Sequence, residues 1–136
     1  MSFIADASVA AAWVLPDENE PAADLLLRRA MADGVTVPFH WPAEIANVLV
    51  MAERRGRITR DQMLEAHLLL ISVAPTVDQG GAIALALDAA TTAHLQGLSV
   101  YDALYLELAE RTALPLATFD KRLRGAAEKA SISLLP

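Results

Sequence analysis

Apolar residues recur along this chain in two rhythms, short runs and helical stripes, and their alternation predicts the fold class. Phe3-Ile4-Ala5 is a short apolar run ending on Asp6, the pattern of a buried strand with a carboxylate at its C-terminal tip. Val9 to Leu15 is too long and too rich in alanine to continue that strand, and it predicts a first helix. Asp6 has a second reading as the N-cap of that helix. Pro21 suits the first turn of a second helix, carried by Ala22, Leu25, Leu26, Arg29 and Ala30 as far as Ala32 and stopped at Gly34. Val35-Thr36-Val37-Pro38 follows as a short strand. Trp41 to Leu49 reads as a helix starting at Pro42, with Glu44 in its first turn and Asn47 three residues on along the same face. Thr59 and Gln62 form a capping box that opens a helix through Leu68-Leu69-Leu70-Ile71. The two helices between Pro42 and Val73 predict an antiparallel hairpin turning at Gly56.

Pro75-Thr76-Val77-Asp78 predicts a short edge strand, and Gly80-Gly81 precede a helix to Leu95 that Gly97 ends. The stretch from Leu98 to Asp120 then organises the rest. Ser99 with Asp102 three residues later is a variant capping box, opening a helix whose Ala103, Leu104, Leu106, Leu108 and Ala109 leave little polar surface. Such a helix is buried on most sides. Pro115 begins a second short apolar run, Leu116-Ala117, that stops at Thr118-Phe119-Asp120. A basic helix to about Lys129 and a final strand over Ser131-Ile132-Ser133-Leu134 complete the pattern. Short strands alternating with helices predict an α/β fold, a short central parallel sheet covered by helices on both faces, with the helical hairpin in the middle third.

Composition narrows the chemistry. With 136 residues, 54% of them apolar and 21% charged, the chain suits one ordered domain over 1–136. The absence of cysteine removes disulfides, thiol catalysis and thiolate metal sites, which leaves oxygen ligands and three scattered histidines. His40, His67 and His94 share no ligand spacing and read as ordinary surface or core residues. Trp13 and Trp41 read as core or groove wall. Gly80-Gly81 is no phosphate loop, since no Lys-Ser/Thr pair follows. The N-terminus lacks a basic leader region and no apolar run approaches a membrane span, so the expectation is a cytoplasmic protein with no membrane association. A net charge of −6 opposes a nucleic-acid partner at first sight. Yet Arg54, Arg55, Arg57 and Arg60 form one basic cluster, and Lys121, Arg122, Arg124 and Lys129 another, immediately after Asp120.

Asp6 and Asp120 end strands; Glu44 and Asp102 open helices. In a doubly wound sheet these positions lie on one edge, so the four carboxylates can converge. Two carboxylates about 4 Å apart repel by roughly 4 kcal/mol at an effective dielectric of 20. A divalent cation relieves that repulsion, and all-oxygen ligation selects Mg²⁺ or Mn²⁺.

The segments Ile4-Ala5-Asp6-Ala7-Ser8, Trp41 to Leu49, Ser99 to Tyr105 and Thr118 to Leu123 occur in an order that resembles the PIN-domain metal-dependent ribonucleases, and within them the VapC-type toxins of toxin–antitoxin pairs. The resemblance covers nearly the whole chain. It implies a PIN-like three-layer α/β/α domain in which Asp6, Glu44, Asp102 and Asp120 hold Mg²⁺ or Mn²⁺ for hydrolysis of RNA phosphodiesters. Ser8 and Thr118 match positions beside the metal, and Asn47 a polar position on the glutamate's helix. Lys121, Arg122 and Arg124 become candidates for the RNA backbone, and the implied partners are RNA, a cognate antitoxin and a second copy in a homodimer. Two other classes compete: a PIN-like module that only docks a protein, and a haloacid dehalogenase-like phosphatase. The phosphatase motif wants a second Asp two residues after the first, where this chain has Ser8.

Overall fold

The computed structural model describes residues 1–80 and 82–136, so Gly81 of the Gly80-Gly81 pair lies outside the described residues. Among the described residues, strands and helices alternate as β1 (Phe3–Ala5), α1 (Ala7–Val14), α2 (Ala23–Asp33), β2 (Val35–Val37), α3 (Trp41–Arg54), α4 (Arg60–Val73), β3 (Thr76–Val77), α5 (Ala82–Gln96), α6 (Val100–Thr112), β4 (Leu116–Ala117) and α7 (Lys121–Lys129). The sheet order is β3-β2-β1-β4 and every pairing is parallel, with Phe3 opposite Val35, Ala5 opposite Ala117 and Val37 opposite Val77.

The expected α/β class is what the chain adopts. Phe3, Ile4, Ala5, Leu116 and Ala117 are all essentially inaccessible, so both faces of the central strands are covered by helices. α1 and α6 pack directly on β1, and α6 also reaches β4. α5 lies against α6 through Ala89, Ala93 and Ala103, small side chains that let the two helices approach closely, and through Leu104. Each large side chain buried in this core contributes about 1.5–3 kcal/mol.

Local signals place most boundaries. The Thr59–Gln62 capping box forms with both of its hydrogen bonds, at 3.1 and 2.9 Å. Gly56 at φ 73° turns the chain between α3 and α4, and Gly97 at φ 65° ends α5, both in the left-handed region that glycine enters without cost. Two expectations need correction. α2 begins at Ala23, because Pro21 and Ala22 form a turn ahead of it. The segment from Ser131 to Leu134 is no full strand. Ser131 takes a left-handed conformation at φ 57°, the chain bends there, and only a single parallel bridge joins Leu134 to Leu116.

Candidate active site

β1 is a central strand, so the residue that leaves its C-terminal end lies in the middle of the sheet's edge. That residue is Asp6, 4% exposed. It is both strand tip and helix cap: Oδ1 accepts from Val9 N at 3.2 Å and from Ser8 Oγ at 2.5 Å. Its other oxygen accepts from Thr118 Oγ1 at 2.6 Å. Thr118 leaves the neighbouring strand β4 and is itself buried. The same hydroxyls bind onward, since Ser8 Oγ accepts from Phe119 N at 3.0 Å and Thr118 Oγ1 from Asp120 N at 3.0 Å. Ser8 and Thr118 thus fasten the corner after β1 to the corner after β4. They hold Asp6 in one orientation.

Asp120 opens α7. Its Oδ1 accepts from Arg122 N at 2.8 Å and Leu123 N at 3.0 Å, while the rest of the side chain is exposed. Asp102 is the third residue of α6, where Ser99 caps the helix by accepting from Asp102 N at 3.1 Å. Glu44 lies in the first turn of α3 with 28% of its side chain exposed. Its Oε1 accepts from the hydroxyl of Tyr105 at 2.5 Å, and Tyr105 is 1% exposed on the buried helix α6.

Electrostatics tie the four acids into one group. Burial raises the Asp6 carboxyl above its ordinary value, against the pull of its Ser8, Thr118 and Val9 hydrogen bonds, and the charge of Asp102 adds to the rise. Glu44 is raised by burial, partly offset by the Tyr105 bond, and raised again by Asp102 and Asp6. Asp102 is raised by burial and then by Asp120, while Ser99 and the Arg122 guanidinium draw it back. The Tyr105 phenol is pushed far above its usual range, first by burial and then by the charge of Glu44. Asp6, Glu44 and Asp102 therefore each stand in the field of another of these acids. As placed, no three of the Asp, Glu and His side chains among the described residues are close enough together to form a ligand cage. Each carboxylate is instead drawn to its own hydroxyl or helix N-terminus.

The donor set nevertheless suits a hard divalent cation. It offers carboxylate oxygens alone, one of them almost fully buried and oriented by two hydroxyls, in a place where the negative charges disfavour one another.

Of the other expected residues, Asn47 is exposed on α3 and shares a cavity of about 400 Å³ with His40, Ala43, Glu44 and Tyr101. Lys121 and Arg122 are exposed at the start of α7, with Arg122 near enough to act on Asp102. Arg124 is placed differently. Its Nη1 donates to the carbonyls of Thr118 and Leu135 at 3.4 and 3.3 Å, which makes it a clamp on the C-terminal segment. In the first basic cluster, Arg57 is bound by Asp17 and Glu18, and Arg60 lies 3.7 Å from Glu53.

Sequence reasoning missed Tyr105, and it read His40 as an ordinary surface or core residue. A signal for Tyr105 existed: it stands one helical turn beyond Asp102 and shares its face. His40 precedes α3, and its side chain is 10% exposed with Nε2 3.9 Å from Glu44 Oε1. Burial holds its imidazole below the ordinary range, an effect the Tyr101 backbone only partly offsets.

A family model for the PIN domain matches residues 3–129. Among solved structures, the crystal structure of PAE2754 from Pyrobaculum aerophilum matches with a TM-score of 0.69 at 22% identity, over 93% of this chain and 87% of that one. The crystal structure of FitAcB from Neisseria gonorrhoeae matches with a TM-score of 0.67 at 17% identity, over 100% of this chain and 97% of that one. Identities this low speak for the fold alone. No curated protein matches the sequence.

Proposed function

The chain belongs to the PIN-domain family, and from that premise we propose that it is a Mg²⁺- or Mn²⁺-dependent endoribonuclease and the toxin of a toxin–antitoxin pair. What supports this reading is that Asp6, Glu44, Asp102 and Asp120 come from four different elements and stand at strand tips or in first helical turns, with the charge of Asp102 acting on Asp6 and Glu44 and that of Asp120 on Asp102. Ligands of open α/β sheets sit at the C-terminal edge of the strands.

In this reading the four acids hold the cation. A bound divalent cation supplies an acidified water and neutralises charge on the phosphoryl oxygens. The protein's own contribution is placement. Ser8 and Thr118 keep both oxygens of Asp6 in fixed positions, and Tyr105 holds one oxygen of Glu44. Fixing donors before the reaction removes reorganisation at the moment of reaction. Lys121 and Arg122 stand beside Asp120 at the rim, where they attract the RNA backbone that the acids would otherwise repel. The proposal extends to a cognate antitoxin and a second copy of the chain as partners, and to action in the cytoplasm. Among the described residues, no helix is long and apolar enough to cross a membrane.

The test is cleavage of single-stranded RNA in Mn²⁺. Wild-type protein should cut internal phosphodiesters, chelator should stop it, and Asp120→Asn should fall to background. Asparagine caps a helix about as well as aspartate, so α7 and the fold should survive the change. Asp24→Asn, an exposed acid on α2, serves as the control and should cleave normally. Wild-type rates from Asp120→Asn would overturn the assignment.

A further inference from the structure

The cavity that Glu44 shares has walls that, Glu44 apart, the metal reading does not use. Its walls are His40, Ala43, Glu44, Asn47 and Tyr101, and its volume of about 400 Å³ is near the lower end for small-ligand sites. Three features point to a flat, polar-edged occupant. Tyr101 is 62% exposed, its ring backed by His40 with centroids 5.8 Å apart and planes inclined at 32°, which leaves its outer face open. His40 is fixed by two more rings, Phe39 at 5.9 Å and Tyr105 at 5.1 Å, both edge-on. Yet neither of its nitrogens makes a well-formed hydrogen bond among the described residues, although the Tyr101 backbone acts on the ring and the side chain is only 10% exposed. A buried polar group without a partner costs about 1–3 kcal/mol, a cost that a bound ligand can remove. Asn47 adds an exposed carboxamide, a donor group and an acceptor group side by side.

Glu44 belongs to both the cavity and the carboxylate group. An occupant of the cavity therefore lies next to the carboxylate group. A nucleotide suits that position, with its base in the cavity and its phosphate toward the groove. Resting on the ribonuclease reading, we propose that this cavity is a subsite for one unpaired nucleobase of the RNA, beside the phosphate that is cut. Tyr101 stacks on the base, as aromatic side chains do with splayed-out bases of single strands. Asn47 and an imidazole nitrogen of His40 read its edge. Recognition at this position then gives the enzyme its base preference.

The test couples a protein change to an RNA change. A series of short single-stranded RNAs carries one abasic ribose, moved position by position. Cleavage is measured as kcat/KM, and binding by fluorescence anisotropy in the Asp120→Asn background with Mn²⁺. At one position, loss of the base should weaken wild-type binding and kcat/KM about tenfold to a hundredfold, the range for one stacked base. Tyr101→Ala should show the same loss on intact RNA and be indifferent to the abasic site there. Tyr101→Phe keeps the stacking ring and should stay within about twofold of wild type. Asn47→Ala should change which base is preferred at that same position.

Tyr101 is exposed, so its substitution leaves the core untouched. Tyr101→Ala acting like wild type, or abasic losses equal for both proteins at every position, would overturn the subsite. Cleavage without this coupling would sink the subsite and leave the nuclease standing. Coupling in binding without cleavage would do the reverse, and no RNA binding at all would remove both.

Discussion

Replacing Tyr105 by phenylalanine isolates a single bond of the candidate active site. The ring is 1% exposed and its hydroxyl donates to Glu44 Oε1 at 2.5 Å, so Phe keeps the packing and removes one oxygen. A hydrogen bond to a charged group contributes about 1.5–3 kcal/mol. Glu44 keeps 28% of its side chain exposed, so water can replace part of what the hydroxyl gave. The lower part of the range therefore applies, about 1.5–2 kcal/mol at neutral pH. For a chain of this length that is roughly 5–10 °C in Tm.

The pH dependence carries the sharper test. Burial raises the Glu44 carboxyl above its ordinary 4.5, and the Tyr105 bond pulls it back. Without that bond the folded value climbs further. A raised folded pKa means that the folded state holds the proton more tightly than the unfolded state. That contribution to stability is complete below the unfolded value and is lost as pH rises through the folded one. Tyr105→Phe widens the window, so its deficit should be small near pH 4 and should grow to its full size at neutral pH and above. Thermal melts of both proteins in chelator, at about pH 4 and about pH 8, measure this directly. Equal deficits at both values, or none at neutral pH, would refute the reasoning and leave Tyr105 as a packing residue only.

The same linkage applies to the group. Folded-state values of Asp6, Glu44 and Asp102 are all raised, burial being the largest cause for each, so metal-free stability should fall as pH climbs from about 4, and Asp102→Asn should flatten that fall. Mn²⁺ at a hundredfold excess over its dissociation constant should restore about 2.7 kcal/mol, and melts in chelator and in Mn²⁺ that coincide would leave the four acids as separate helix caps. Arg122→Glu should weaken RNA binding and reduce its salt slope by about 1, whereas Arg28→Glu on α2 should do neither. Glutamate suits the first turn of α7, so a loss there reports on RNA contact; equal effects at both positions would deny the patch after Asp120 a special role.

The elements were legible because their causes are local. Apolar period, the Thr59–Gln62 box, Ser99 before α6 and the glycines after α3 and α5 act within one or two turns, and no distant contact reverses them. The parallel sheet followed from the alternation of elements. The four acids drew attention in the sequence because each stands at an element's end, as the structure also has it.

What remained hidden depends on partners far along the chain. Thr118 binds Asp6 across 112 residues, and Tyr105 reaches Glu44 across 61. Arg124 looked like one more cation in a basic run, until the fold turned it toward the carbonyls of Thr118 and Leu135. The terminal apolar run met the same limit, because the chain turns at Ser131 and only Leu134 then bridges to Leu116. His40 carried no spacing signal, and only packing made it a buried imidazole between three rings at the mouth of a cavity. The sequence by itself determined which residues can cap, alternate and carry charge, since those properties belong to a residue and its near neighbours. Which hydroxyl meets which carboxylate, and which cation is left free, only the tertiary structure decided, because those contacts exist only once the fold has brought β1 beside β4 and Tyr105 of α6 to Glu44 of α3.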